Sequence, residues 1–213
     1  MGRPPRIQVS EIHYHVIVRC NNGDFHFESD EDFLQYLQIL ARFKRKHQFK
    51  LFNYELMNSH VHLFLQPSEK IPLQQTMHLI NWTFACTYNK RRARKGHFWL
   101  DRYKSIPVQT DSHALALMRY INRNAVRAGL VEKPGTWPWS GYRFYAVGAA
   151  NPLLDFHPTY LGLSNNPEMR SKAYADFVTM ILPGDDKRNP AFSDADCIGS
   201  TPFVRKSVVI NRA

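Results

Sequence analysis

Phe49-Lys50-Leu51-Phe52-Asn53-Tyr54-Glu55-Leu56, then a short polar turn at Asn58-Ser59, then His60-Val61-His62-Leu63-Phe64-Leu65-Gln66 is the stretch on which the fold turns. Both arms are rich in aromatic and branched apolar residues, and the turn between them is short, so they read as two strands of a hairpin. In the second arm Val61, Leu63 and Leu65 alternate with His60 and His62. Side chains two apart on a strand share a face, so the apolar set points into the core and the two imidazoles project together on the other side.

Working outward, Ile12-His13-Tyr14-His15-Val16-Ile17-Val18-Arg19-Cys20 reads as an earlier strand, closed by the turn signal Asn21-Asn22-Gly23-Asp24. Ser29 followed by Asp32 resembles a capping box, and Phe33, Leu37, Leu40 and Phe43 then recur at helical spacing. Downstream, Pro72 suits the first turn of a helix carrying Leu73, Met77, Ile80 and Phe84. Residues 103–109 form a fourth strand, and Asp111 caps a helix that runs through Tyr120 and stops near Gly129. This order predicts an α+β fold: a ferredoxin-like βαββαβ antiparallel sheet, with the first and third strands central, and an extra helix carrying Tyr120. Residues 1–149 are expected to form the main domain. Residues 150–213, which follow the loop Ala149-Ala150-Asn151-Pro152, are expected to form a helical appendage with a helix over 167–182 and a polar break at 184–190.

Hydrophobic residues make up 44% of the 213, enough for a real core and too many for a disordered tail. Lys and Arg total 28 against 18 acidic residues, and the net charge of +10 favours a polyanionic partner. No run approaches the roughly 18–20 apolar residues of a membrane span, and no apolar signal core follows the N-terminus. The three cysteines are scattered and odd in number, which argues against a disulfide framework or structural zinc and for a reducing cytoplasm. A DNA-bound chain would be nucleoid-associated there.

Several constellations could carry chemistry. His60 and His62 have the geometry of two ligands to one divalent metal, but His13-Tyr14-His15 is a second such pair, and with ten histidines in the chain composition does not choose between them. Tyr120 and Asn124 lie one helical turn apart, so they are either a nucleophile beside a third ligand or a core tyrosine beside a polar neighbour. Arg119, Arg123 and Arg127 recur on an adjoining stripe, as a solvated face or as a phosphate clamp. The run Lys90-Arg91-Arg92-Ala93-Arg94-Lys95 exceeds what a helix C-terminus needs and suits a nucleic-acid backbone. His97, Phe98, Trp99 and Tyr103 follow it, as a stacking platform for unpaired bases or as core.

Taken in order, the blocks Tyr14-His15-Val16, Tyr54 to Leu63, Gly96-His97-Phe98-Trp99 with Arg102-Tyr103-Lys104, Arg119-Tyr120-Ile121 with Asn124 to Val131, and Trp137-Pro138-Trp139-Ser140-Gly141-Tyr142 resemble the REP-associated branch of the single-tyrosine HUH transposases over roughly residues 3–145. The resemblance implies that residues 1–149 are the catalytic domain, with His60, His62 and Asn124 as metal ligands, Mg²⁺ or Mn²⁺ as the metal and Tyr120 as the nucleophile. It implies nicking and rejoining of single-stranded DNA near hairpins through a covalent 5′-phosphotyrosine. By charge and spacing, Lys90, Arg91, Arg92, Arg94, Lys95, Arg102, Lys104, Arg119, Arg123 and Arg127 are expected against the DNA, and the chain is expected to act as a monomer or a homodimer. Two positions depart from the family pattern. Ser59 stands where Asn or Asp is common, and Ala125 stands where Pro is common, which removes a helix breaker and lets the Tyr120 helix run on. The alternative from another class is a nucleic-acid-binding module with a degenerate site. A covalent protein–DNA adduct separates the two.

Overall fold

The computed structural model describes residues 12–109, 112–200 and 203. Strands β1 (His13–Arg19), β2 (Lys50–Leu56), β3 (His60–Gln66) and β4 (Lys104–Val108) alternate with helices α1 (Asp30–His47), α2 (Leu73–Arg91) and α3 (Ser112–Asn122) in the expected sequence. Every pairing among these four strands is antiparallel and the strand order is β2-β3-β1-β4, so β1 and β3 are the central pair. Short helices follow: α4 (Asn124–Arg127), α5 (Tyr142–Ala146), α6 (Pro158–Leu161), α7 (Pro167–Thr179) and α8 (Pro190–Ser193). The Asp111 cap expected for α3 lies outside the described residues.

The start of α1 explains part of the basic run. Asp32 accepts hydrogen bonds from the backbone N–H of Ser29 at 2.9 Å and of Glu28 at 3.1 Å, the reach-back half of a capping box. The same carboxylate is fully buried and meets Arg91 and Arg92 at the end of α2. A carboxylate at one helix N-terminus and guanidinium groups at the neighbouring C-terminus complement both helix dipoles, so this contact locks α1 beside α2.

Both faces of the sheet are covered. The strand pleat sends Tyr14, Val16 and Val18 of β1 and Val61, Leu63 and Leu65 of β3 to one side, all buried. The other side carries His13, His15 and Ile17 from β1 and His62 and Phe64 from β3, with α3 against β2. A bulge at Phe52 shifts the register of β2, placing Asn53 opposite Phe64 and Glu55 opposite His62 on this second face. No helix among the described residues is long and apolar enough to cross a membrane.

The described residues beyond 150 contribute to this core. Tyr160, Tyr174 and Val178 are buried in the same apolar cluster as the sheet. Leu51 and Asp155 exchange backbone and side-chain bonds, and the Tyr145 hydroxyl donates to the Phe52 carbonyl at 2.5 Å. His157 supplies a further tie. Its Nδ1 accepts from the Thr159 N–H at 3.1 Å, so the proton sits on Nε2, which donates to His13 Nδ1 at 3.0 Å. Both rings lie against Phe52 and Phe64.

This pair makes a pH prediction. Burial depresses His13 to about 4, with Lys50 adding to it, and His157 to about 3, with His13 adding to it. The unfolded chain takes up protons near pH ~6.5 that the folded chain refuses, so stability is full above that pH and falls as pH drops toward the folded values. Each refused proton steepens the loss by about 1.4 kcal/mol per pH unit. Urea unfolding at pH 7.5 and 5.0 should show this loss. His157→Asn, which retains a cap for Thr159, should reduce the slope. A variant slope equal to wild type would show that these histidines already titrate normally.

Candidate active site

A cleft of about 760 Å³ opens where the ends of β1 and β3 meet α3 and α4. His60, His62, Tyr120, Asn124 and Arg127 all line it, so residues chosen from two separate stretches of sequence converge on one space. His60 and His62 project from the same face of β3, as the pleat requires, with ring centroids 4.9 Å apart. Burial pushes His60 down to about 4, helped by Arg19 and Arg188. It pushes His62 well below the ordinary histidine range, helped by His60 and His15. Both imidazoles are therefore neutral at physiological pH, the state in which a ring nitrogen can ligate a cation.

Tyr120 is only 6% exposed, yet its ring borders the cleft. The Arg127 guanidinium carbon lies 4.5 Å from the ring centroid, a cation–π contact, and the Phe192 ring centroid lies 4.9 Å away, tilted by 31°. His15 and His62 meet the ring edgewise at 6.3 and 6.1 Å. Arg127 also donates to Asn124 Oδ1 at 2.7 Å, so one guanidinium orders both the phenol and the amide.

Asn124 does not continue the Tyr120 helix. The helix breaks at Arg123 (φ −106°, ψ 3°) and α4 starts anew, so Ala125 does not let it run on. The reason is a residue that sequence reading passed over. Glu55 Oε1 accepts the Ala125 N–H at 2.7 Å, drawing away the donor that would otherwise bond the Ile121 carbonyl. That carbonyl accepts from Asn124 Nδ2 instead, at 3.0 Å. The break a proline would impose is made here by a buried carboxyl on β2. Burial raises the Glu55 carboxyl well above the usual range, against the opposing pull of the Ala125 N–H and Arg127.

The other expected DNA contacts divide sharply. Arg119 and Arg123 are buried and form no surface stripe. Arg119 grips Asp185 with both terminal nitrogens and also bonds the Phe177 and Met180 carbonyls at the end of α7. Arg123 bonds the Val178 carbonyl and pairs with Asp185, whose carboxyl falls to about 2 chiefly through the Arg119 bond. Of the proposed clamp, only Arg127 faces the cleft. Arg91 and Arg92 are held by Asp32, Arg94 bonds Asn89 and the His97 carbonyl, and Lys104 bonds the Ser193 carbonyl. Lys90, Lys95 and Arg102 are exposed. Phe98 and Tyr103 are buried and Trp99 is partly buried, Phe98 and Trp99 packing on Phe84. These aromatics are core, not a stacking platform. Two cations that sequence reading did not single out, Arg19 and Arg188, line the cleft. Arg19 was legible in principle, because it continues the His13, His15, Ile17 face of β1 by strand alternation. Arg188 was not, since it arrives from a distant polar loop.

The family model for IS200-like transposases matches residues 8–124, more than half of the chain. The chain belongs to the IS200-like transposase family. Its sheet, the paired histidines and Tyr120 all fall within the matched span. Among solved structures, a REP-associated tyrosine transposase bound to a REP hairpin matches with a TM-score of 0.60 at 16% identity, over 75% of this chain and 93% of that one. That likeness concerns the fold. A protein from Deinococcus radiodurans R1 described as a transposase matches with a TM-score of 0.41 at 18% identity, over 54% of this chain and 91% of that one, too weakly to bear on it. No curated protein matches.

For this IS200-like transposase, the Glu55 contact makes a testable prediction. Glu55→Leu should destabilise the fold by about 1–3 kcal/mol, because it orphans the buried Ala125 N–H. In an Ala125→Pro background, where that N–H is gone, the same change should cost much less. Equilibrium denaturation of the four proteins measures the difference. Equal costs in both backgrounds would rule out the N–H as the basis of the effect.

Proposed function

We propose that this chain is a metal-assisted nickase and strand transferase for single-stranded DNA beside hairpins, with Tyr120 as the nucleophile. The observation that carries this reading is the convergence of Tyr120, His60, His62 and Asn124 on one cleft in a chain of transposase family. The structural neighbour solved on a REP hairpin supports a hairpin as the DNA element recognised.

The residues present fit a divalent cation. Among the described residues no three His, Cys, Asp or Glu side chains gather to hold a metal, so the third donor has to be of another kind. Asn124 Oδ1 supplies it: the oxygen accepts one hydrogen bond, from Arg127, and has a second lone pair free. Two imidazoles and an amide oxygen make a mixed nitrogen and oxygen set that tolerates Mg²⁺ or Mn²⁺, the ions that the family resemblance implies. Bound there, the ion would polarise the scissile phosphate.

The chain's own groups account for the remaining requirements. Arg127 and Arg19, with Arg188 in its pair with Asp194, place positive charge along the cleft where a phosphodiester backbone would lie. In the nicking step the Tyr120 oxygen loses its proton and bonds to phosphorus. The bond from phosphorus to the 3′ oxygen breaks, and that oxygen takes up a proton to leave a 3′-OH. The phosphotyrosine preserves the bond energy, so a second 3′-OH reverses the step and joins strands without ATP. The Arg127 contact is with the face of the phenol ring and not with its oxygen, which is the atom the attack uses.

Tyr120→Phe retains the ring and its contacts with Phe192 and Arg127, so stability should change by about 1 kcal/mol or less. Cleavage of a labelled hairpin oligonucleotide with Mn²⁺ should disappear, together with the adduct that survives denaturation. The double change of His60 and His62 to Ala should also abolish cleavage while hairpin binding persists. An active Tyr120→Phe protein, or an adduct mapped by mass spectrometry to another tyrosine, overturns the assignment.

A further inference from the structure

The sequence offers two histidine pairs, and the structure divides the first between two jobs. His13 belongs to the tie with His157. His15 faces the cleft residues instead, is fully buried, and has both ring nitrogens engaged. Its Nδ1 lies 2.8 Å from the Phe192 carbonyl oxygen. A carbonyl only accepts, so this nitrogen carries the proton. A neutral buried imidazole has one proton, and Nε2 of His15 is therefore an acceptor. That atom lies 2.9 Å from His62 Nδ1, which must be the donor. The proton of His62 is thus fixed on Nδ1, and its Nε2 is left with a bare lone pair on a ring that lines the cleft.

We infer that His15 is a positioning residue for the metal site, holding His62 in the tautomer and ring orientation that presents Nε2 to the cation. This rests on the reading of His60, His62 and Asn124 as ligands. The chain of bonds runs from the Phe192 carbonyl through His15 to His62, so α8, in the region beyond 150, reaches the site through backbone chemistry. The near-stacked rings of His15 and His62, 17° apart with centroids at 5.1 Å, leave His62 little room to rotate. Partners of this kind raise metal affinity because a ligand already in the right tautomer and orientation loses nothing on binding.

Two substitutions separate this role from mere core filling. A glutamine amide reaches as far as the imidazole Nε2, whereas an asparagine amide reaches only as far as Nδ1. His15→Gln keeps an acceptor for His62 and gives up the Phe192 bond; His15→Asn does the reverse. Mn²⁺ binding to the full chain without DNA, followed by the electron paramagnetic resonance of the free ion, should weaken by about 10–100-fold in His15→Asn and stay close to wild type in His15→Gln. Melting in EDTA checks that each variant is folded. His62→Ala is the control for the underlying reading: if it binds Mn²⁺ as wild type does, the ligand assignment fails. If His62→Ala loses Mn²⁺ while His15→Asn retains it, or if Gln and Asn weaken binding equally, the role of His15 alone is overturned. Nitrogen-15 spectra of the histidines in the wild-type, metal-free protein give a test that needs no variant. They should show His62 protonated at Nδ1 with a bare Nε2, and the opposite tautomer would overturn the inference.

Discussion

The two-residue period of the central strands β1 and β3 is the constraint on which the site depends. Antiparallel pairing sets Ile17 opposite His62 and Arg19 opposite His60, so the odd-numbered residues of β1 and the even-numbered residues of β3 share one face. A slip of one residue would send both ligand candidates into the apolar layer under α1 and α2. The valine and leucine set on the other face opposes any such slip, since it would have to surrender its burial. Rigid placement of the imidazoles is thus a by-product of core packing. The sheet interior also provides the low-dielectric setting that keeps them neutral.

The second requirement is to bring Tyr120 and Asn124 to that face. A continuous helix would place them one turn apart, but the observed chain breaks between them and restarts. Glu55 on β2 makes the break by taking the Ala125 N–H, and Asn53 on the same strand donates to Asn122 Oδ1 at 3.0 Å. The bulge at Phe52 is what turns both β2 side chains toward the helix. A local irregularity in one strand thereby sets where another element ends.

The region beyond 150 is integrated with this machinery. Asp185 takes Arg119 and Arg123, the Phe192 ring covers part of Tyr120, and the Phe192 carbonyl anchors His15. Arginines spaced four apart across the break between α3 and α4 therefore serve two masters: Arg119 and Arg123 hold the C-terminal region, and Arg127 faces the cleft. The basic run at the end of α2 is divided in the same way, among the Asp32 lock, the Arg94 bonds to Asn89 and His97, and exposed lysines. Net charge of +10 favours an anionic partner, but the individual residues that meet it are fewer than the sequence suggests.

The strand and helix order, the central position of β1 and β3, and the common face of His60 and His62 follow from patterns with periods of two and 3.6 residues, and such patterns are local. Tyr120 and Asn124 were legible only through the resemblance of ordered motifs, because a tyrosine on an amphipathic helix has no local mark of chemistry. Tertiary structure decided that His13 meets His157 while His15 meets His62, which arginines are paired inside the protein, and that Glu55 takes the Ala125 N–H. Each of these depends on which donor meets which acceptor across separations of 47 to 177 residues, from His15–His62 to His15–Phe192. A charged or polar side chain carries the same letter whether it is paired inside the protein or left for a ligand; only the folded chain says which partner reached it first.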